Sequence, residues 1–356
     1  MVISAFTLTS QQAMHLKRTC QDYAPTSTVK TTEEPLTLEN VKAYEDSEII
    51  IIFIRTTITR ELLSKLPKLR YIITRSSGYD HIDLEATTER AILVSNLPAY
   101  SITAVAEFTF TLMLALIRHI KRVVRNQVMS TQNDADIDSK STNQETLCGT
   151  ELYKKTLGIL GTGNIGKRVA RIAKGFDMNV IAFDLYPDHE FAHSVGFKYT
   201  DTCKELCRQA DLLSIHIPYT EENHHFFNRE RLTWVKKESF LINTARGLLI
   251  DNEALLNALN QNHLAGAALD VLPYENIPYA YGPNGPTHHT QPHKSSQKNN
   301  VNIQKILELN KRLINHEHVL ATPHIAYDTK EALEEQLKQT LKTLKAYLAG
   351  KPIHCV

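Results

Sequence analysis

The chain has 356 residues, of which 42% are hydrophobic and 22% are charged, and its formal net charge is +1. These values are typical of a globular protein with room for two domains, and a charge near zero predicts neither a nucleic acid nor an anionic membrane as a partner. Met1 is not followed by a basic segment and an apolar run, and the five cysteines are scattered, so we expect a reduced cytoplasmic protein.

The first hundred residues alternate strand-like and helix-like segments. We predict a helix at residues 11–21 and short apolar strands at 2–8, 48–55, 71–74 and 92–95. This alternation predicts a parallel sheet covered by helices. One long helix is predicted from Ser101 to about Arg125, and because it contains Glu107 and several threonines we predict that it does not span a membrane.

A second α/β series occupies the rest of the chain. Six apolar strands are predicted at residues 157–160, 180–183, 212–217, 240–243, 266–269 and 319–321, which fits two mononucleotide-binding halves side by side. Asp328 and Glu331 form a D-x-x-E pattern that predicts the capping box of a final helix. Residues 276–301 are polar, which predicts a mobile insertion, and no metal site is expected among its histidines.

A glycine motif follows the strand predicted at residues 157–160. Gly161, Gly163 and Gly166 form G-x-G-x-x-G where that strand meets a helix, which is the context that a dinucleotide fingerprint requires. The glycines would supply a tight turn, a close approach to a pyrophosphate and close packing of the helix on the strand. Asp184 ends the next strand, where a carboxylate can accept hydrogen bonds from the ribose hydroxyls and repel a 2′-phosphate. The motif therefore predicts NAD rather than NADP.

Three chemically active side chains follow later strands of this series. Arg246, Glu275 and His324 each come after a predicted strand, and ligands of such sheets bind at the carboxyl ends of the strands. An arginine can bind a substrate carboxylate with two parallel hydrogen bonds, and a histidine can exchange a proton near neutral pH. A carboxylate beside the histidine would hold its tautomer and raise its pKa. Each residue alone also has a structural explanation, but together they indicate hydride transfer to a 2-oxo acid.

Several motifs resemble those of the D-isomer-specific 2-hydroxyacid dehydrogenase family, and within it most closely the D-lactate dehydrogenases. Besides the glycine loop, they are Arg75-Ser-Ser-Gly-Tyr-Asp-His-Ile-Asp83, Ala104-Val-Ala-Glu107, Phe183-Asp-Leu-Tyr-Pro187, His216-Ile-Pro218, Asn243-Thr-Ala-Arg-Gly247, Ala268-Leu-Asp-Val271 and Pro323-His-Ile-Ala-Tyr327. The resemblance implies a Rossmann cofactor domain at residues 103–324. This domain would be inserted into a flavodoxin-like substrate domain formed by residues 1–102 and 325–356, with the active site in the cleft. It also implies a homodimer formed through the long helix.

The resemblance implies a role for each matching residue. Arg246, Glu275 and His324 would be the catalytic set, and Ser77 and Gly78 would bind the substrate carboxylate through backbone amides. The residues implied to bind NAD are Gly161, Gly163, Asn164, Ile165, Gly166, Asp184, Ile217, Pro218, Asn223, Thr244, Ala245 and Asp270. Among them, Thr244 and Asp270 would orient the nicotinamide.

Two tyrosines bear on the size of the substrate. Tyr327 follows His324 by three residues and Tyr100 precedes the Ser101 helix, and two bulky rings would leave room for a methyl-sized side chain. This interpretation predicts pyruvate and D-lactate, although either ring could instead pack a domain hinge. The alternatives are a larger 2-oxo acid, such as 2-oxoisocaproate or phenylpyruvate, and an NAD(H)-sensing protein that resembles a corepressor.

Overall fold

A computed structural model describes residues 1–132, 147–274 and 297–356 of the chain. These residues form two compact units, Met1–Ser101 with Asp328–Val356, and Ile102–Tyr327. Residue 102 and residues 325–327, which were predicted to lie in the first unit, belong to the second. Glu275 and residues 276–296 of the predicted insertion lie outside the described residues.

The first unit is built on a five-stranded parallel sheet in the order β2-β1-β3-β4-β5. This strand order is that of flavodoxin-like folds, as predicted. Its strands are β1 (Val2–Ala5), β2 (Thr28–Thr31), β3 (Ile49–Ile52), β4 (Tyr71–Thr74) and β5 (Leu93–Ser95), and its first three helices are α1 (Ser10–Tyr23), α2 (Arg60–Ser64) and α3 (Leu84–Glu89). The central strands β3 and β4 are fully buried, because helices cover both faces of a parallel sheet.

The C-terminal helix, Lys330–Leu348, packs on the N-terminal part of this unit. The Tyr71 and Tyr347 rings stack with 3.9 Å between their centroids, and Arg75 Nη1 donates to Gln336 Oε1 at 3.3 Å. The capping box predicted at Asp328 and Glu331 is wrong. Thr329 is the N-cap instead, and its hydroxyl accepts a hydrogen bond from the Ala332 amide, so the helix begins one residue later than that pattern requires.

The second unit is built on a seven-stranded parallel sheet in the order β12-β11-β10-β9-β6-β7-β8. Counted from β6 as the first strand, this order is 7-6-5-4-1-2-3, which contains the Rossmann order and confirms the predicted fold class. The strands are β6 (Thr156–Leu160), β7 (Asn179–Phe183), β8 (Lys198–Tyr199), β9 (Leu212–Ile215), β10 (Ser239–Asn243), β11 (Leu264–Leu269) and β12 (Val319–Ala321). The strand order reverses between β6 and β9, where a dinucleotide binds in such folds.

The helices of the second unit differ from the prediction in two places. They are α4 (Ile102–Ile117), α5 (Ile120–Gln132), α6 (Asn164–Gly175), α7 (His189–Val195), α8 (Cys203–Gln209), α9 (Arg229–Leu232), α10 (Asn252–Asn260) and α11 (Gln297–Asn315), so that Lys330–Leu348 is α12. The single helix predicted from Ser101 is broken after Ile117, because His119 has a left-handed φ of 54° that an α-helix cannot contain. Residues 297–301 are helical rather than structureless, because α11 is anchored further along by the buried Leu309 and Leu313.

In the part of the chain that is described, no single helix is both long enough and apolar enough to cross a membrane. Only the pair α4 and α5 passes that test together, and the two helices are bent by 61°.

Alternate residues of the central strands point into separate cores on the two faces of the sheet. Leu212, Ile242 and Ala268 pack with α4 and α6, whereas the next or preceding residue of each strand packs with α8, α10 and α11. This two-residue period fixes the register of these central strands.

Candidate active site

The glycine loop joins β6 to α6 with the geometry that the sequence predicts. Gly161 has a φ of +92°, and a Cβ built on it would lie 2.8 Å from the carbonyl of His216 and from Ile217 Cγ2. A Cβ on Gly166 would lie 2.0 Å from the Gly161 carbonyl oxygen. The first glycine is therefore needed for backbone conformation and for contact with the loop after β9, and the last is needed for packing.

Gly163 differs from Gly161 and Gly166 because a Cβ built on it would meet no atom within 4 Å. It is the N-cap of α6, and no side chain caps that helix. The first backbone amides of α6, from Asn164 onwards, can therefore bind an external acceptor, and the helix dipole favours an anion there. Open space next to uncapped amides fits the pyrophosphate of a dinucleotide.

Asp184 lies at the end of β7 and is bonded to the glycine loop. One carboxylate oxygen accepts from the Thr162 amide at 2.5 Å and from the Thr162 hydroxyl at 3.0 Å, and the other accepts from the Tyr186 amide at 2.9 Å. Thr162 also pairs with the Tyr199 hydroxyl at 2.8 Å. The carboxylate thus fixes the glycine loop, a role that the sequence pattern does not indicate.

The loop after β9 contains the residues predicted to line the adenine and its ribose. Asn223 holds this loop closed, since its side chain donates to the Pro218 carbonyl and accepts from the Thr220 amide, both at 2.8 Å. At the base of the loop, His216 Nε2 lies 2.8 Å from Ser214 Oγ, and burial lowers the pKa of His216 to about 3. His216 is therefore neutral at physiological pH. Ile217 contacts the glycine loop from this side, as the spacing at Gly161 shows.

The segment after β10 carries Thr244, Ala245 and Arg246. Thr244 is buried and its hydroxyl lies 3.1 Å from that of Thr109 on α4. The Asn243 side chain accepts from the Ala245 amide at 3.0 Å and donates to the Arg246 carbonyl at 2.9 Å, so one buried asparagine shapes the turn. The half-buried Arg246 side chain donates from Nη1 to the Ala245 carbonyl at 2.8 Å.

Gly247 completes the same turn. A Cβ on it would lie 2.3 Å from the backbone of Leu272, so this position accepts only glycine unless the chain after β11 moves.

Asp270 at the end of β11 holds the turn that carries His324. Its carboxylate, which has no exposed surface, accepts from the Thr322 hydroxyl at 2.7 Å and from the Ile325 and Ala326 amides at 3.0 and 2.9 Å. Burial raises the pKa of Asp270, and these hydrogen bonds and the nearby His324 oppose the increase. The predicted contact of Asp270 with the nicotinamide stays a prediction.

His324 has a left-handed φ of 53°, an unfavourable conformation for a non-glycine residue. Its amide donates to the Asp270 carbonyl at 2.8 Å, and its ring lies edge-on to the Tyr327 ring with 6.0 Å between the centroids. Such strain persists where surrounding contacts impose it, and it concentrates at functional sites. Glu275, its predicted partner, lies outside the described residues.

The remaining predicted residues belong to the first unit. Ser77 is exposed after β4, its hydroxyl donates to the Leu97 carbonyl at 3.0 Å, and its own carbonyl accepts from Asn96 Nδ2 at 2.7 Å. The Gly78 carbonyl accepts from the Ser76 hydroxyl at 2.7 Å, and Tyr100 is buried. These side-chain hydrogen bonds hold the loop in place, and none of them involves the Ser77 or Gly78 amide.

The second unit brings most of the predicted residues to one edge of its sheet. They follow the carboxyl ends of β6, β7, β9, β10, β11 and β12, on both sides of the point where the strand order reverses. Thr162 and Thr322 were missed, and only their position beside Gly161 and His324 in the sequence could have indicated them. Among the described residues, no group of three or more histidine, cysteine or acidic side chains can hold a metal ion.

Comparison with known proteins identifies this arrangement. The family model described as D-isomer specific 2-hydroxyacid dehydrogenase, NAD binding domain, matches residues 110–326. The chain is 34% identical over 318 residues to a D-3-phosphoglycerate dehydrogenase from Methanocaldococcus jannaschii, and the match covers 87% of this chain and 52% of that protein, about half its length. It is 30% identical over 349 residues to a D-lactate dehydrogenase from Treponema pallidum, with 98% of this chain and 96% of the relative covered.

A solved structure gives the same result. The D-lactate dehydrogenase from Aquifex aeolicus, complexed with NAD and lactic acid, matches with a TM-score of 0.78 and 34% identity over 98% of this chain and 96% of its own. The chain belongs to the D-isomer-specific 2-hydroxyacid dehydrogenases. It is an oxidoreductase that uses NAD and acts on the CH–OH group of D-2-hydroxy acids.

Proposed function

We propose that this enzyme reduces pyruvate to D-lactate with NADH. The observation that carries the proposal is the position of Tyr327, whose ring lies edge-on to His324 with 6.0 Å between centroids. A bulky ring beside the proposed proton donor leaves room for a methyl group more readily than for a branched or aromatic side chain. The D-lactate dehydrogenases from Treponema pallidum and Aquifex aeolicus, which match over nearly the whole chain, support the same substrate.

The residues at the end of the sheet suit the binding of NAD. The uncapped amides at Asn164 and Ile165 would bind the pyrophosphate in the open space at Gly163, and Asp184 would accept hydrogen bonds from the adenosine ribose. Ile217, Pro218 and Asn223 would flank the adenine, as predicted from the family resemblance. When bound, NADH supplies the hydride that reduces the carbonyl carbon of the oxo acid.

Groups of the protein would bind the negative charge of the substrate and supply the proton. Arg246 would bind the substrate carboxylate and polarise the carbonyl with its forked donors, helped by the Ser77 and Gly78 amides. His324 would donate a proton to the carbonyl oxygen as the alcohol forms, with Glu275 holding its tautomer. Asp270 keeps the His324 turn in place through three hydrogen bonds, so that the imidazole is positioned before the substrate arrives.

Steady-state kinetics with NADH would test the substrate. We expect kcat/KM to be highest for pyruvate, lower for 2-oxobutyrate, and lowest for 2-oxoisocaproate and phenylpyruvate. A preference for the last two would contradict the proposal and support the larger-substrate alternative. Tight NADH binding without oxidation by any oxo acid would instead support a sensing role.

Two variants separate the proposed roles. Arg246→Ala should lower kcat/KM for pyruvate by roughly 10- to 100-fold, the value of charge-assisted hydrogen bonds, while NADH affinity stays nearly constant. Tyr327→Ala should raise kcat/KM for 2-oxoisocaproate relative to pyruvate by about 10-fold, the usual effect of hydrophobic pocket size. Tyr153→Ala, at a tyrosine that is 51% exposed, is the matched control and should leave this ratio unchanged.

A further inference from the structure

Two cysteines that the predicted active site does not use lie side by side on α8. The Sγ atoms of Cys203 and Cys207 are 4.0 Å apart. Cys203 is half-buried, whereas Cys207 has no exposed surface and belongs to the core of the second unit. The Cys203 thiol can therefore meet a small solute directly, whereas the Cys207 thiol cannot.

The surroundings make the two thiols chemically different. The hydrogen bond with Cys207 and the charge of Arg231 lower the pKa of Cys203 despite its partial burial. The same hydrogen bond and burial raise the pKa of Cys207. The Arg231 guanidinium is held in place over the Phe226 ring, 4.2 Å from its centroid, and beside Trp234. A thiolate is the reactive form of cysteine, so the accessible sulfur is also the nucleophilic one.

We propose that Cys203 and Cys207 are a peroxide-sensitive pair that closes reversibly to a disulfide. The Cys203 thiolate attacks one oxygen of hydrogen peroxide, forming an S–O bond as the O–O bond breaks and hydroxide leaves. The sulfur is oxidised by two electrons and the peroxide is reduced. The Cys207 sulfur then attacks Cys203, forming the S–S bond as the S–O bond breaks, and the departing hydroxide takes the thiol proton as water.

Closure requires a small movement at one end of the helix. Residues four apart on a helix have Cβ atoms about 5–6 Å apart, whereas a disulfide needs about 3.5–4.5 Å. Cys203 is the first residue of α8, directly after the N-cap Thr202, so only the terminal turn has to adjust. The terminal turn of a helix opens more easily than its interior. Cys207 keeps its place in the core throughout.

Trypsin mapping of the full chain tests the proposal. Cleavage after Lys198, Lys204 and Arg208 separates the two cysteines into the peptides Tyr199–Lys204 and Glu205–Arg208. After a brief exposure to hydrogen peroxide, we expect these peptides to be linked, with a mass two hydrogens below their sum, and to separate on treatment with dithiothreitol. Free thiol at both positions, under conditions that oxidise the exposed Cys148, would overturn the proposal.

Variants assign the roles of the two sulfurs. In Cys207→Ser, Cys203 should persist as the sulfenic acid and be captured by dimedone. In Cys203→Ser, Cys207 should remain unmodified, and labelling of Cys207 there would contradict the assigned order of attack. Cys20 is an internal reference, because burial raises its pKa to about 11, and it should react at least ~10-fold more slowly than Cys203.

A second measurement is made on the parent chain, so it does not depend on how well a variant folds. Trp234 is the only tryptophan of the chain and packs against the same core cluster as Cys203. Closure of the disulfide should therefore change its fluorescence in step with the linked peptide, and dithiothreitol should restore it. An unchanged fluorescence while the linked peptide accumulates would contradict closure in the folded protein.

Discussion

Asp184 has two roles, and the sequence alone indicates only one of them. As a carboxylate at the end of β7 it is predicted to select NAD, and as the acceptor for Thr162 and Tyr186 it also fixes the glycine loop. A substitution at Asp184 therefore changes both charge and loop order. The two effects can be separated only by a second variant that disturbs the loop and keeps the charge.

We predict that Asp184→Ala reduces the preference for NADH over NADPH by about 10-fold or more, because a negative charge no longer faces the 2′-phosphate. The control is Thr162→Val, which removes the hydroxyl bonds to Asp184 and Tyr199 but keeps the carboxylate. It should weaken the binding of both cofactors and preserve the preference. Dissociation constants from NADH and NADPH fluorescence check both. An unchanged preference in Asp184→Ala would show that the carboxylate does not select the cofactor.

His216 makes the stability of the second unit depend on pH. Burial lowers its pKa to about 3 from the ordinary 6.5. Between these two pH values, the unfolded chain therefore binds a proton at His216 that the folded chain does not bind. The free energy of unfolding therefore falls as pH falls through this range, and it is fully retained above it. Between about pH 7 and pH 5, this one residue should cost ~2 kcal/mol.

The comparison with His216→Asn isolates that cost. Urea unfolding at the two pH values should show that the parent chain loses ~2 kcal/mol more than the variant does. His189→Asn, at an exposed histidine, is the control and should lose as much as the parent. If the parent and His216→Asn have parallel pH dependence, the pKa of His216 is not lowered in the folded chain.

At the level of elements, the glycines around the start of α6 differ in whether they are needed for cofactor binding or for folding. Gly163 lies in open space, whereas Gly161 and Gly166 touch backbone atoms. We predict that Gly163→Ala changes the free energy of unfolding by less than about 1 kcal/mol, since its φ of −64° suits any residue. NADH binding should weaken at least ~10-fold, because the new methyl group occupies the space proposed for the pyrophosphate.

Gly175→Ala is the matched control for this prediction. Gly175 ends the same helix, and a Cβ there also meets nothing within 4 Å. It should alter neither stability nor NADH affinity beyond the small effect of helix propensity. Thermal unfolding and NADH titration measure both quantities on the same samples. Equal NADH affinity in the two variants would mean that the pyrophosphate does not lie at Gly163.

Elements with a buried apolar face were predictable from the sequence, and those without one were not. β4 was predicted to the residue because all four of its side chains are buried. The edge strands β2 and β8 were missed, since their residues are half-buried or exposed and carry no apolar pattern. The break at His119 was missed because a single left-handed residue leaves no periodic signal.

The candidate site shows the same limit. The glycines and the strand-end residues were predicted because backbone geometry restricts where such residues can act. The bonds from Thr162 to Asp184 and from Thr322 to Asp270 could not be predicted, since they join positions 22 and 52 residues apart that only the folded sheet brings together. Tertiary hydrogen bonds of this kind have no spacing rule in the sequence.

For the whole molecule, the exposed apolar side chains of α4 and α5 bear on the predicted homodimer. Leu114 is 37% exposed, Ile120 46%, Val123 39% and Val124 55%, so large hydrophobic side chains recur on the surface of this pair of helices. A surface of this kind is typical of a face that a partner covers. A second copy of the chain is the partner that the family resemblance implies, and a twofold interface would place this same surface on both subunits.

We therefore predict that the protein is a dimer and that Val124→Glu makes it a monomer, because dimerisation would bury an unpaired charge. Light scattering after size exclusion should give twice the chain mass of 40.4 kDa for the parent and the single mass for the variant. Met14→Glu, at a methionine of the first unit that is 66% exposed, is the control and should stay dimeric. A monomeric parent would refute the prediction outright. A dimeric Val124→Glu would show that the interface does not lie at α5. Binding of NADH to both variants would show that they are folded, so that a change in mass reflects assembly.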